Sequence, residues 1–171
     1  METISCDFII AGAGVAGLAA SQYASRSGLH TVLLDASLPG GQALHIVDLE
    51  NYPSVYPSIS GTNFVNSMQE QALAFGAKII QANILSVDKI ENYFHVHTNN
   101  GTYIAPAFLI ATGAEHRKLG TPGEKEFSAK GVSYCAVCDG PFFQGKDIVV
   151  VGGGDSAKSN KISPHSPSQS A

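Results

Sequence analysis

Two cysteines separated by two residues, Cys135 and Cys138, with Asp139 beside the second, are the residues best suited to chemistry in this chain. Such a pair has three uses. Zinc takes about four ligands, and one pair plus the distant Cys6 does not supply them. A structural disulfide is unusual in a reducing compartment. Thiol–disulfide exchange fits best, because cysteines three apart across a helical turn can bridge and a helix N-terminus lowers the pKa of an exposed thiol. Asp139 then stands where it can shuttle the proton that the exchange requires. Cys6 reads as a small packed residue rather than a reactive one.

Glycine turns flank this pair on both sides. Gly12, Gly14 and Gly17 form G-x-G-x-x-G directly after the strand-like Phe8-Ile9-Ile10. The first glycine permits a tight turn, the second lets a pyrophosphate approach the backbone, and the third lets a helix pack close to the strand. A helix N-terminus beyond the turn offers unpaired N–H groups and a positive dipole end to phosphates. Asp35 closes the next apolar run, 18 residues after Gly17, where a carboxylate can accept from ribose hydroxyls. Gly152-Gly153-Gly154-Asp155-Ser156-Ala157 is a second turn, G-x-G-x-x-A, after a strand expected at 147–151. Two such fingerprints imply two nucleotide sites, one donating and one accepting electrons. Between them the cysteine pair reads as redox-active: reduced nicotinamide, then flavin, then disulfide.

The remaining segments position these groups. Leu38-Pro39-Gly40-Gly41-Gln42 is a loop that could lie close to a flat ligand, although by itself it reads as an ordinary turn. Residues 51–57 are irregular, because Pro53 and Pro57 forbid a regular element. A helix is expected from Gly61 to Phe75, with Phe64, Met68, Ala72 and Phe75 on one apolar stripe and Gly76 as its stop. Short strands at 78–80, 84–90, 93–98 and 102–104 read as a small antiparallel layer, with Asn100-Gly101 as a two-residue hairpin turn. His95 and His97 share a face of that layer. No further metal ligands accompany them, so they read as solvent-facing and no metal is expected. Residues 108–114 return the chain to the parallel sheet, with Thr112 and Gly113 at the carboxyl edge where ligands of such sheets bind.

Composition narrows the class. Of 171 residues, 44% are apolar and 14% charged, which fits a globular protein. Fourteen acids against ten bases give a net charge of −4 without a basic block, so no nucleic-acid partner is expected. No stretch reaches the about 18 apolar residues of a membrane span. Glu2 and Asp7 occupy the place of a signal peptide's positive region, and three cysteines are too few for a secreted scaffold; the cytoplasm is the expected location. Residues 158–171 carry five serines and two prolines and read as disordered.

G-A-G-V-A-G (Gly12–Gly17), G-G-Q (Gly40–Gln42), E-N-Y-P (Glu50–Pro53), A-T-G-A (Ala111–Ala114), C-A-V-C-D-G (Cys135–Gly140) and G-G-G-D-S-A (Gly152–Ala157) occur in one order. Over residues 7–157 the chain closely resembles the low-molecular-weight, bacterial-type thioredoxin reductases. The resemblance implies an α/β fold: a Rossmann-like FAD-binding domain at 1–114, a parallel sheet with a small antiparallel layer. The start of a second Rossmann-like, NADPH-binding domain carrying the C-x-x-C follows at 115–158, then a disordered tail at 159–171. It implies FAD contacts from Gly12, Gly14, Gly17, Asp35, Gly41, Gln42, Asn51 and Thr112, Gly113 and Ala114, and NADPH contacts from Gly152, Gly154 and Ser156. Carried over, NADPH reduces FAD, FAD reduces the Cys135–Cys138 disulfide, and the dithiol reduces thioredoxin or a similar protein. Asp139 is then the proton donor and acceptor, in a cytoplasmic homodimer. The family's later segments, a glutamate-rich helix and a returning FAD segment with a glycine-aspartate motif, have no counterpart here. The expected alternative is therefore a truncated, catalytically inactive remnant that at most binds FAD weakly.

Overall fold

The computed structural model describes residues 2–128, 130–135, 140–154 and 157. The chain divides into two compact units, Met1–Ala114 and Glu115–Ala171.

The first unit is a helix–sheet–sheet sandwich of the expected α/β, Rossmann-like kind. Its parallel sheet runs β4-β3-β2-β8, built from β2 (Phe8–Ala11), β3 (Thr31–Asp35), β4 (Lys78–Gln81) and β8 (Ala107–Ile110). Helix α1 (Val15–Arg26) links β2 to β3, and α2 (Gly61–Ala74) precedes β4. Both faces of the central strands are covered, which explains their unbroken apolar runs. Ile10 and Leu33 pack with Leu18 and Val65 on the helical side. Ile9, Val32 and Leu34 point the other way, against Val96, Tyr103 and Ala105 of the second sheet. The two-residue period of a strand divides one apolar run between two cores.

The second sheet runs β1-β7-β6-β5, from β1 (Thr3–Ser5), β5 (Ile84–Ile90), β6 (Tyr93–Thr98) and β7 (Thr102–Ala105). Here the structure corrects the sequence reading. The strand at 78 belongs to the parallel sheet, with Leu33 opposite Ile79, because α2 carries the chain across to β3. The layer gains β1 in its place, paired in parallel to β7 with Thr3 opposite Thr102. The hairpin turn also lies one residue earlier than expected. His97 pairs with Thr102 and the Thr98 N–H donates to the Gly101 carbonyl at 2.9 Å, so Asn99 and Asn100 form the tip. Gly101 is needed for a different reason: a Cβ there would come within 2.8 Å of the Glu2 carbonyl oxygen as β1 arrives alongside.

Helix α2 begins where expected. Ser60 caps it by accepting from the Asn63 N–H at 3.2 Å, and Gly76, at φ +94°, ends it. Its buried stripe centres on Val65 and Ala72, while Phe75 is the C-cap and 41% exposed. The stripe's rotation leaves the last aromatic on the solvent side. His95 and His97 lie on the face of β6 opposite the buried Val96, as expected, and are partly exposed; His97 Nδ1 lies 3.0 Å from the Thr102 hydroxyl and Nε2 3.4 Å from Asp88.

In the second unit a turn spans 122–127 and a short 3-10 helix spans Gly140–Phe143. The strand expected at 147–151 is absent. Val149 is 85% exposed, and among the described residues no strand runs beside it. A strand exists only through hydrogen bonds to a neighbour, so apolar sequence without one stays extended and unpaired. The disordered tail expected at 159–171 and the roles expected of Cys138, Asp139 and Ser156 fall on residues outside the described set.

Candidate functional site

The first glycine turn is shaped by what its residues cannot carry. Gly12 has φ +104°, and a Cβ on it would stand 2.3 Å from the Ala111 carbonyl oxygen at the end of β8. A Cβ on Gly17 would stand 1.9 Å from the Gly12 carbonyl oxygen, so α1 approaches β2 only because that atom is missing. Gly14 is different, since a Cβ there meets nothing within 4 Å. The strand-to-helix turn is thus closed at its two outer glycines and open at the middle one. A phosphate needs that opening.

Gly14 is also the N-cap of α1, without a side chain to cap the helix and with no acid in the first turn. The positive helix end is left for a ligand. Gly40 closes the far side of this opening: its N–H donates to the Ala13 carbonyl at 2.8 Å, and Gly14 and Gly40 form a parallel bridge. Gly41, at φ +56°, backs onto the Gly14 Cα. Gly40 has φ +127°, and a Cβ on it would meet Leu44 and Val65 at 2.6–2.8 Å. The Pro-Gly-Gly sequence signals a turn there but not which glycine meets the core.

Asp35 does more than wait for a ribose. Its Oδ2 accepts from the Ala13 N–H at 2.6 Å, and its Oδ1 accepts from the Ser37 N–H at 2.8 Å and the Ser37 hydroxyl at 2.9 Å. It braces the glycine turn against the end of β3. A carboxylate has about four acceptor sites, so sites remain for hydroxyl donors. The side-chain amide of Gln42 donates to the Ala114 carbonyl, joining the Gly-Gly-Gln loop to the turn after β8. Thr112, Gly113 and Ala114 are exposed at that edge, and so is Asn51 in the irregular segment. Gly12, Gly14, Gly17, Asp35, Gly41, Gln42 and the 112–114 turn therefore meet at one carboxyl edge of the parallel sheet.

In the second unit Cys135 is disulfide-bonded. Its N–H donates to the Ser133 Oγ at 3.1 Å, and its carbonyl accepts from the same hydroxyl at 3.2 Å. Gly152 has φ +134°, and Gly153 and Gly154 face open space. Cys6, by contrast, is a buried free thiol pushed up to about 11 by desolvation, which the hydrogen bond from the Phe8 amide offsets in part. It packs rather than reacts. Among the described residues, no group of His, Cys, Asp or Glu could hold a metal ion. No helix among them is long and apolar enough to cross a membrane.

Comparison with known proteins decides the lineage. Residues 6–158 match the pyridine nucleotide-disulphide oxidoreductase family. The chain belongs to that family. It is 52% identical to a thioredoxin reductase of Treponema pallidum over 157 residues, 92% of this chain and 51% of that protein. It is 50% identical to a thioredoxin reductase of Bacillus subtilis over 88% of this chain and 48% of that protein. The crystal structure of thioredoxin reductase from Streptococcus pyogenes superposes with a TM-score of 0.75 at 42% identity, over 94% of this chain and 52% of that one. The chain spans about half the length of the relatives it matches. This member of the family has the glycine turn in its first unit and the disulfide of Cys135 in its second.

Proposed function

We propose that this chain carries the flavin-binding and disulfide-bearing part of a thioredoxin reductase, with FAD held by the first unit, residues 1–114. NADPH is assigned to the Gly152 turn of the second unit, 115–158. The opening at Gly14 carries this reading: a backbone cradle closed by Gly12 and Gly17 and left open between them. The fit is to an extended phosphate. Gly14 and the first turn of α1 would hold the pyrophosphate, Asp35 the ribose hydroxyls, and Gly41, Gln42, Asn51 and Thr112–Ala114 the flavin side. When bound, NADPH supplies the hydride and FAD relays its electron pair. This chain's own chemistry is at the disulfide, where two electrons and two protons convert the S–S bond of Cys135 and Cys138 to two thiols. Asp139 donates and accepts the proton, and the dithiol then reduces the disulfide of thioredoxin or a similar protein. A cytoplasmic, homodimeric enzyme without nucleic-acid or membrane partners completes the reading. The thioredoxin partner is supported by the relatives' names, and the cytoplasmic location by thiol chemistry that needs a reducing compartment.

A second reading is favoured by the exposed apolar run Ile148–Val151 and by Ile110, 72% exposed on edge strand β8. On that reading the chain by itself binds FAD weakly and does not turn over NADPH. One experiment separates the two. The purified chain is loaded with FAD, and NADPH oxidation is followed with thioredoxin for the parent and for Cys135→Ser. Steady turnover that Cys135→Ser abolishes supports the enzyme; equal rates sink the assigned role of Cys135. Retention of FAD with no turnover in either protein supports the second reading.

A further inference from the structure

Just ahead of Cys135, one carboxylate gathers three donors. Glu124, only 8% exposed, accepts from the Leu119 N–H at 2.9 Å, the Gly120 N–H at 2.7 Å and the Tyr134 hydroxyl at 2.5 Å. Gly123, at φ +85°, turns the chain so that Glu124 reaches back to those amides. The Tyr134 ring is held as well: Lys118 Nζ lies 3.9 Å from its centroid, and His116 stacks on it with planes 11° apart. The hydroxyl and the ring of the residue before Cys135 are thus both fixed by segment 116–124. A carboxylate with three donors is held ionised. The Tyr134 hydrogen bond and then the Leu119 amide pull its pKa below the usual range, against desolvation.

We infer that Glu124 is a positioning residue for the disulfide of Cys135, acting through Tyr134. The inference rests on the reading of Cys135 as the redox-active cysteine. Reduction opens the S–S bond to two thiols and frees the chain around them. An anchored neighbour limits that freedom, keeps the thiols near each other and so favours re-closure. Without the anchor the dithiol gains more freedom than the cross-linked form. Reduction then becomes easier.

Equilibrium with dithiothreitol tests this on the full chain. One dithiothreitol supplies two electrons and two protons and leaves as its cyclic disulfide, while the protein S–S bond becomes two thiols. Alkylation and mass measurement give the reduced fraction. Glu124→Gln and Tyr134→Phe are each expected to raise the equilibrium constant for reduction about fivefold, as loss of a charge-assisted hydrogen bond allows. The double variant is expected to exceed neither single, because both act through one contact. A role in stability alone would lower the urea midpoint and leave the constant unmoved. Constants within about twofold of the parent, or a shift in Glu124→Gln without one in Tyr134→Phe, would overturn the inference. Tyr134→Phe keeps the ring and its stacking, so it decides the matter if Glu124→Gln does not fold. The assay needs neither FAD nor NADPH; a shifted constant in a chain that never reduces thioredoxin would refute the proposed activity and leave the positioning role standing.

Discussion

Asp7-Phe8-Ile9-Ile10-Ala11-Gly12 and Asp147-Ile148-Val149-Val150-Val151-Gly152 are nearly the same sentence written twice: an acid, an apolar run and a glycine. The first becomes the central strand β2, paired on one side with Thr31–Leu34 and on the other with Ala107–Ile110, and Ile9 and Ile10 are fully buried. The second forms no strand, and Val149, Val150 and Val151 are all exposed. Local sequence is equal to the task in both places. What differs is the supply of neighbours: β3 and β8 lie beside the first run, and no strand among the described residues lies beside the second. A strand's stability belongs to its pairings and to the faces it buries, not to its own residues.

The widest contrast comes from removing one apolar side chain on each side. Leu33→Ala empties a site between β3 and the helices and is expected to cost about 2–5 kcal/mol in urea unfolding. Val150→Ala, on the exposed run, is expected to change stability by less than about 0.5 kcal/mol. Equal losses would break the comparison. Within the first unit, Ser60→Ala removes the cap of α2 and is expected to cost about 1 kcal/mol by the same measurement.

A smaller effect sharpens the account of the second unit. The Glu124 carboxyl lies below its ordinary value of 4.5, held there first by Tyr134, and the Tyr134 phenol lies above its ordinary 10.0, held there first by Glu124. The carboxylate's contribution is therefore whole above pH 4.5 and is lost as pH falls through the lowered value. The phenol's contribution is whole below pH 10 and is lost as pH rises through the raised one. Lys118 and His116 are the other charged or titratable groups on the Tyr134 ring. The NMR shifts of the Leu119 and Gly120 amides are expected to report the acid limb below pH 4.5. A midpoint at or above 4.5 would contradict the three-donor geometry.

Much of the first unit was legible because its signals are local. The G-x-G-x-x-G turn, the acid at Asp35 and the β8 run each lie within a few residues of the feature they specify. What escaped was long-range. β1 is three residues long, and its partner Thr102 is 99 positions from Thr3. Strand 78–81 sits in the parallel sheet only because α2 returns the chain to β3. The Asn100-Gly101 pair identified a hairpin but not its tip, because Gly101 answers to Glu2 rather than to the turn. At the site, the turn's glycines were readable, but the brace from Asp35 to Ala13 and the grip of Glu124 on Tyr134 are matters of side-chain reach. No spacing rule encodes them.

Gly14 offers the most direct test of the proposed cradle. Its φ of −71° suits any residue, and a Cβ there meets no protein atom within 4 Å. Gly14→Val is therefore expected to stay folded and to cost no more than the about 1 kcal/mol of a poorer N-cap in urea unfolding. The valine would instead fill the space assigned to the pyrophosphate. Titration of the full chain with FAD, read by flavin fluorescence, is expected to show saturable binding in the parent and none in Gly14→Val. Equal binding by the two proteins, or none by the parent, would contradict the account.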